Sequence, residues 1–397
     1  MSCEEWCQDF PLLGLQPLVL KTVLENSNCK DVIRFALSGN DARNQAIHTK
    51  PANIREAWFY FGTSCDLTLI DEKTTDNSQR DIYWSFFKGE RLSEEEIRRK
   101  AEETERRAAF RRQMGIVVDT ERMVVGQEPI VPALWKESVI VDDQVLRIEC
   151  LSHLTNNHRY MEKPYGPNDT CLCTVSRDKI ESFQLAVAFL SELFRPPKSV
   201  RVFVDLDIHP NFMGLLDSEF ARNVTSLKMH KFEAVVTRTE LDFVLCNFPK
   251  LETLNVKSCV SSDAIEGLKF KLNNLLMQIS TLELKHLQNM DCVYLTIGTK
   301  FFKFPHFNTI VTAWVNGGLS DRLKSLQMDV GQNFQRERDA DFEKRPVLET
   351  VKYRVGDLVS INWATRGAEL FDVIRRDNGK RATVCNHEHY YYLYVWD

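Results

Sequence analysis

A short apolar pattern of the form L-x-x-L-x-L recurs in the second half of the chain and limits the folds that this half can adopt. Its four copies are Val224/Leu227/Met229, Leu251/Leu254/Val256, Ile279/Leu282/Leu284 and Leu323/Leu326/Met328. The first three copies begin 27 and 28 residues apart, a spacing typical of leucine-rich-type repeats. Strand and helix in alternation build a curved parallel sheet, and such a sheet offers a surface for protein binding.

The segments around these copies carry the signals expected of helices and hairpins. Apolar residues at helical spacing predict helices over 239–248 and 264–276, and a longer one over 177–194 that the prolines at 196 and 197 end. At the C-terminus, Asp377-Asn378-Gly379 is typical of a hairpin turn, and 390–396 would form the closing strand. We therefore predict that the second half forms a leucine-rich-repeat-like α/β domain with extra strands.

The region 51–150 alternates between strand patterns and one charged segment. Aromatic and β-branched runs at 57–61 and 67–70 predict a hairpin, and a second is expected to turn at Asp142-Asp143. Between them, Ser93 and Glu96 form a capping-box pattern at the start of a helix over 93–114. Because this helix has few apolar residues, we interpret it as a solvent-facing helix within a strand-rich linker region.

The stretch from Phe10 to Ala46 is a separate small module. Pro17 suits the first turn of a helix with Leu20, Val23 and Leu24 on one face, and Ser27 or Asn28 is expected to cap the next helix. Fewer than about 40 residues rarely bury enough surface to fold alone. The module should therefore rest on a partner or on the next domain.

Composition restricts the kinds of partner. The 397 residues are 43% hydrophobic and carry a net charge of −5, which argues against general affinity for nucleic acid or anionic membranes. No segment approaches the roughly 20 apolar residues of a membrane-spanning helix. The 11 cysteines are scattered, and the chain opens with acidic residues in place of a signal peptide. We expect reduced thiols in a cytoplasmic or nuclear protein.

The N-terminal module resembles an F-box of the type common in nematode proteins. The resemblance rests on Phe-Pro-Leu-Leu at 10–13, Leu-Val-Leu-Lys at 18–21 and Asp-Val-Ile-Arg-Phe-Ala-Leu-Ser at 31–38. It implies docking to the Skp-type adaptor of a cullin–RING ubiquitin ligase. The residues it places against the adaptor are Pro11, Leu12, Leu15, Leu20, Val23, Leu24, Val32 and Phe35. Two departures from the family pattern are Gln16, where a proline is usual, and Gly39-Asn40-Asp41, where basic residues are usual.

Further along, the chain resembles the F-box-associated domain of the same proteins. The matching residues run from Phe307-Asn308-Thr309 through Trp314-Val315-Asn316-Gly317-Gly318, and also include Arg322-Leu323-Lys324-Ser325-Leu326 and the stretch 371–384. Together the resemblances imply an α+β protein with an F-box at 1–50, the linker region at 51–150 and a substrate-binding domain at 151–397. The implied function is that of a non-catalytic substrate-recognition adaptor of an SCF-type ligase, without a cofactor.

The sequence contains none of the common catalytic or phosphate-binding motifs, including G-x-S-x-G, H-E-x-x-H and G-x-x-x-x-G-K-[ST]. Cys171 and Cys173, like His387 and His389, lack further ligands at zinc-site spacing, so we predict no metal site. Two alternatives stay open. The chain could be a repeat scaffold with a vestigial F-box and no ligase role, or an enzyme with an unrecognised site.

Overall fold

The computed structural model describes most of the chain in segments, and every structural statement below concerns these segments. They are residues 15–51, 54–62, 65–72, 82–88, 133–141, 144–151, 170–176, 178–209, 212, 214, 221–231, 235–299, 307–329, 369–386 and 390–396. Within them the chain forms both helices and strands, which confirms the expected mixed α and β content. The charged segment 93–114 lies outside the described residues, as do His387 and His389.

Three short helices open the described chain. They are α1 (Pro17–Asn26), α2 (Cys29–Leu37) and α3 (Asn40–Thr49). As expected, Pro17 occupies the first turn of α1, and the Asn28 side chain caps α2 by accepting a 2.8 Å hydrogen bond from the Asp31 backbone N–H. The third helix was not anticipated, because its only buried residues, Ala42 and Ala46, give a weak apolar pattern.

The chain divides into two compact units, and the first comprises residues 1–204 and 211–224. Its strands are β1 (Ile54–Phe61), β2 (Cys65–Asp71), β3 (Ile82–Lys88), β4 (Ala133–Val141), β5 (Gln144–Leu151), β6 (Thr170–Ser176) and β7 (Ser199–Asp205). They pair in the order β7-β1-β2-β3-β6-β5-β4, with β1/β7 and β3/β6 parallel and the other pairs antiparallel. The predicted hairpins β1/β2 and β4/β5 are both present.

Helix α4 (Lys179–Leu193) packs on one face of this first sheet. Its start is set by Asp178, whose carboxylate accepts hydrogen bonds from the backbone N–H groups of Ile180 and Glu181. The ring of Phe183 lies edge-on to Phe59 and Phe61, with centroid distances of 5.4 and 4.7 Å. These buried aromatic contacts form the centre of the first unit's core.

The second unit comprises residues 205–210 and 225–397. Its sheet begins with the parallel strands β8 (Val224–His230), β9 (Thr253–Val260), β10 (Phe270–Ile279), β11 (Met290–Gly298) and β12 (Ser325–Asp329). Between them lie α5 (Arg238–Asn247), α6 (Ser262–Ile265), α7 (Leu284–Gln288) and α8 (Phe307–Val315). Four parallel pairs in sequence order make this part of the sheet a regular strand-and-helix succession.

The C-terminal strands extend this sheet with antiparallel pairs. They are β13 (Glu369–Ile374), β14 (Arg381–Asn386) and β15 (Tyr390–Val395), in the order β12-β15-β14-β13. The predicted hairpin is present, and Gly379 has φ +71° in its turn, a conformation that glycine adopts without strain. The predicted closing strand is β15.

One repeat was placed wrongly. The third copy of the pattern, Ile279/Leu282/Leu284, is not a strand, because β10 ends at Ile279 and α7 begins at Leu284. The predicted helix 264–276 is instead α6 followed by most of β10. The cause is a bulge at which the backbone N–H groups of Asn273 and Asn274 both donate to the Glu252 carbonyl. The extra residue separates buried Leu272 and Leu275 by three positions, so a strand mimics helical spacing.

The domain boundaries that we predicted at residues 50 and 150 both fall inside the first compact unit. The N-terminal helices therefore belong to the same unit as the first sheet, which agrees with the expectation that so small a module needs support. Whether they form an F-box is a question of partner binding and stays a prediction.

Candidate functional site

The residues predicted to contact an adaptor lie on α1 and α2, and the structure gives them different environments. Leu20, Leu24 and Val32 are buried, with 3%, 1% and 0% of their surface exposed. Leu15, Val23 and Phe35 are half-buried. Pro11 and Leu12 lie outside the described residues. The chain itself therefore covers three of the predicted contacts.

The outward face of α1 carries two apolar residues that were not in the predicted set. Leu18 is 75% exposed and lies on the side of α1 opposite to buried Leu20, and Val19, between these two sides, is 46% exposed. The 100° rotation per residue of a helix places positions 18 and 20 about 200° apart. The periodicity was therefore sufficient to separate the two faces, but it could not say which face the chain covers.

The N-terminal helices are held by polar contacts to the rest of the first unit. The backbone N–H of Cys29, at the start of α2, donates to the Asp71 carboxylate at 2.6 Å. Arg43 on α3 pairs with Glu192 on α4, with 2.5 Å between Nη2 and Oε2, and also donates to the Ile140 carbonyl. These contacts hold the N-terminal helices against the rest of the first unit, while the outward face of α1 stays exposed.

Each departure from the F-box pattern includes the residue that precedes a helix, and Asn40 and Asp41 of the second departure form the first turn of α3. Gln16 is the N-cap of α1 and Gly39 is the N-cap of α3, and neither has a side-chain capping hydrogen bond. Gln16 is exposed beside the apolar face of α1. A partner that approaches this face would therefore meet Gln16 at its margin.

A second candidate surface is the outward side of strands β8–β12 in the second unit, which we call the polar face. The register aligns Ser226, Thr253, Asn274, Tyr294 and Ser325 in one row across the five strands. The next row consists of Lys228, Asn255, Leu276, Thr296 and Gln327. At neighbouring-strand spacings of about 4.8 Å, each row extends about 19 Å.

Within the polar face the side chains already form hydrogen bonds in the plane of the rows. The amide of Asn274 donates to the Thr253 hydroxyl at 3.1 Å. At the margin, Asp291 accepts a 2.5 Å hydrogen bond from Ser320 and pairs with Arg322. The hydrogen bond from Ser320 lowers the pKa of the Asp291 carboxyl most, and Arg322 adds to the effect. Asp291 is thereby held as a carboxylate.

Several other groups with shifted pKa values are buried thiols or a buried imidazole. Burial raises the pKa of the Cys65 and Cys292 thiols to about 12 and that of Cys385 to about 11. Burial also lowers the pKa of His286, whose Nδ1 accepts a hydrogen bond from the Glu283 backbone N–H. These shifts suppress the nucleophilic form of each thiol and the charged form of the imidazole.

The described part of the chain contains no cluster of three or more His, Cys, Asp or Glu side chains placed to hold a metal ion. In the same residues, none of the helices has the length and apolar content needed to cross a membrane.

Comparison with family models, curated proteins and solved structures found no match to this chain. The residues themselves and the two surfaces described above are therefore the basis for assigning a function.

Proposed function

We propose that this chain is a substrate-recognition adaptor of a cullin–RING (SCF-type) ubiquitin ligase, of the nematode F-box type with a C-terminal F-box-associated domain. In this proposal α1 and α2 belong to an F-box that binds a Skp-type adaptor. The second unit is a leucine-rich-repeat-like domain that binds the protein to be ubiquitinated, in the cytoplasm or nucleus. The chain is not itself an enzyme, because a ligase adaptor increases the rate by bringing enzyme and substrate together.

The observation that carries the proposal is the exposed apolar face of α1. Leu18 and Val19 are consecutive exposed apolar residues on a helix whose Leu20 and Leu24 are buried. Burying a side chain such as leucine is worth about 1.5–3 kcal/mol, so an exposed pair on a supported helix favours a protein partner. This face lies within the segment whose residues resemble an F-box.

The test is a pull-down of purified full-length chain with a purified Skp-type adaptor at micromolar concentration. Wild type should bind, and the double variant Leu18→Asp, Val19→Asp should lose binding without loss of stability, because both side chains are exposed. Leu20→Asp is unsuitable, since Leu20 is buried. The matched control is Asn44→Asp with Gln45→Asp on the exposed side of α3, which should bind as wild type does.

The repeat scaffold with a vestigial F-box is the second candidate. It is favoured by the burial of Leu20, Leu24 and Val32, which removes three expected contacts, and by Gln16 at the margin of the α1 face. Wild type that fails to bind the adaptor would favour the scaffold and reject the ligase role. Adaptor binding that depends on Leu18 and Val19 would reject the scaffold.

A further inference from the structure

In the part of the chain that the structure describes, no helix or strand covers the polar face of the second unit. Tyr294 on β11, the fourth of its five strands, is 49% exposed, and Asn274 and Gln278 on β10 are exposed as well. The opposite face of the same sheet is covered, since Phe307 of α8 packs against Tyr391 of β15 with ring centroids 4.9 Å apart. Buried leucines such as Leu254 and Leu275 line that covered face. One side of the sheet thus builds the core, and the other remains available.

The charges on the polar face are uneven. Lys257 on β9 and Lys271 on β10 are exposed, and neither forms an ion pair with a carboxylate of the described residues. Asp291 nevertheless lies beside Lys271 in the register, and the charge of Lys271 is among the causes that lower the pKa of the Asp291 carboxyl, so Lys257 is the less opposed of the two charges. Other lysines of the second unit are paired: Lys231 with Glu240 at 3.1 Å, and Lys285 with Glu266 at 2.7 Å. The β8–β10 end of the polar face therefore carries positive charge that a partner's carboxylates would neutralise.

The two ends of the polar face differ. Exposed Asp329 lies at the end of β12, the strand farthest from β8 among the five. Asp291, next to Lys271 in the register, is held by Ser320 and Arg322. Charge complementarity is thus confined to the β8–β10 end, and an acidic partner should place its carboxylates there.

The uncharged side chains match an extended polypeptide. Hydroxyl and amide groups at Thr253, Asn274 and Gln278 supply both donors and acceptors for backbone N–H and C=O groups. Tyr294 offers a rigid aromatic surface of the kind that contributes strongly in protein interfaces. The chain's net charge of −5 argues against a nucleic-acid partner.

From these observations we infer that the β8–β10 end of the polar face binds an extended, acidic polypeptide segment. This inference rests on the proposed function in one respect: the segment would belong to the protein to be ubiquitinated. Its lysine contacts set the orientation, and Tyr294 packs against the part of the segment that leaves the basic end.

The test uses the full chain, immobilised, and a displayed library of random 12-residue peptides. Peptides that wild type enriches should carry net negative charge. When they are resynthesised, they should bind at least tenfold more weakly to Lys257→Glu with Lys271→Glu, and about tenfold more weakly to Tyr294→Ala. The matched control is Lys21→Glu with Lys50→Glu on the N-terminal helices, which makes the same change in net charge and should leave binding within twofold of wild type. Thermal unfolding of each variant confirms that it is folded.

Three results would overturn the inference. They are enrichment without acidic bias, equal binding of the selected peptides to wild type and the Lys257/Lys271 variant, and equally strong binding of a 12-nucleotide single-stranded oligothymidine. The ligase role is tested separately, because Leu18→Asp with Val19→Asp should retain peptide binding. Peptide binding together with a failed adaptor pull-down would reject the ligase role and leave the peptide site in place.

Discussion

The guanidinium group of Arg375 lies over the indole ring of Trp314, with its Cζ atom 5.9 Å from the ring centroid. The same group pairs with Asp321 at 2.5 Å and with Asp377 at 2.8 Å, and its side chain is only 3% exposed. The backbone N–H of Arg376 donates to the Val315 carbonyl at 2.8 Å. The end of α8 and the β13–β14 turn are thus joined, although 60 residues separate them in sequence.

Removing the Arg375 side chain should destabilise the second unit. Arg375→Met loses both ion pairs and the contact with Trp314, but the two aspartates are exposed enough to be solvated after the change. We therefore expect a loss of about 2 kcal/mol in the free energy of unfolding. Urea denaturation followed by circular dichroism measures it. Asp321→Asn is the control and should cost under about 1 kcal/mol, because Asp321 is 72% exposed. Equal costs would show that Arg375 contributes no more than a surface pair.

Alanine substitutions at Gly317 and Gly379 should distinguish the cost of backbone strain from the cost of a steric clash. Both have positive φ, at +78° and +71°, but a Cβ atom on Gly317 would lie 2.7 Å from the Asp377 carboxylate, whereas one on Gly379 would meet nothing within 4 Å. Gly379→Ala should cost about 1 kcal/mol from strain alone. Gly317→Ala should cost clearly more, since Asp377 must also move away from Arg375. Denaturation midpoints of the two variants give the comparison, and a smaller cost at Gly317 would contradict this arrangement.

Arg43 should determine how firmly the N-terminal helices are held. Its guanidinium contacts Glu192, the Ile140 carbonyl and the ring of Phe189, whose centroid lies 5.6 Å away. Arg43→Ala should lower the free energy of unfolding by about 1–2 kcal/mol and speed amide hydrogen exchange in α1–α3. Arg43→Lys should restore only part of the protection, because an ammonium group cannot reproduce the planar fork. In the control Lys21→Ala, which removes an exposed 3.9 Å pair with Glu25, exchange should be unchanged.

The cysteines should differ sharply in reactivity. Cys246 and Cys259 are exposed, whereas burial raises the pKa of Cys65 and Cys292 to about 12. At pH 8 the buried thiols are almost entirely protonated, and the thiolate is the nucleophile. Iodoacetamide should therefore alkylate the exposed pair at least tenfold faster in the native protein, as followed by peptide mass spectrometry. The difference should vanish in guanidinium chloride. Equal native rates at Cys65 and Cys259 would contradict the burial of Cys65.

The sequence alone predicted the helices and hairpins whose ends are set by capping, proline or turn residues close by in the chain. The helix expected over 177–194 is α4, because Asp178 caps its start and the prolines at 196 and 197 follow its end. The C-terminal hairpin was expected for the same kind of reason, since Asn378-Gly379 specifies its turn wherever the hairpin packs.

The sequence alone did not predict β10 correctly, because the spacing of its buried residues depends on hydrogen bonds to a neighbouring segment. The bulge at Asn273 and Asn274 exists because both amides reach one carbonyl of the segment leading into β9. It converts the alternation of a strand into an apparent helical spacing, so β10 was partly assigned to a helix. Only the pairing partner reveals the difference.

For the two candidate surfaces, too, some properties follow from the sequence and others only from the tertiary structure. The sequence by itself determined that α1 is apolar and that the strands alternate, because these properties follow from residue type and local periodicity. The tertiary structure decided that Leu18 and Val19, rather than Leu20 and Leu24, face water, since exposure depends on what packs against each side of the helix. It also placed Lys257, Lys271 and Tyr294 on one open face, because strand register joins residues that lie far apart along the chain.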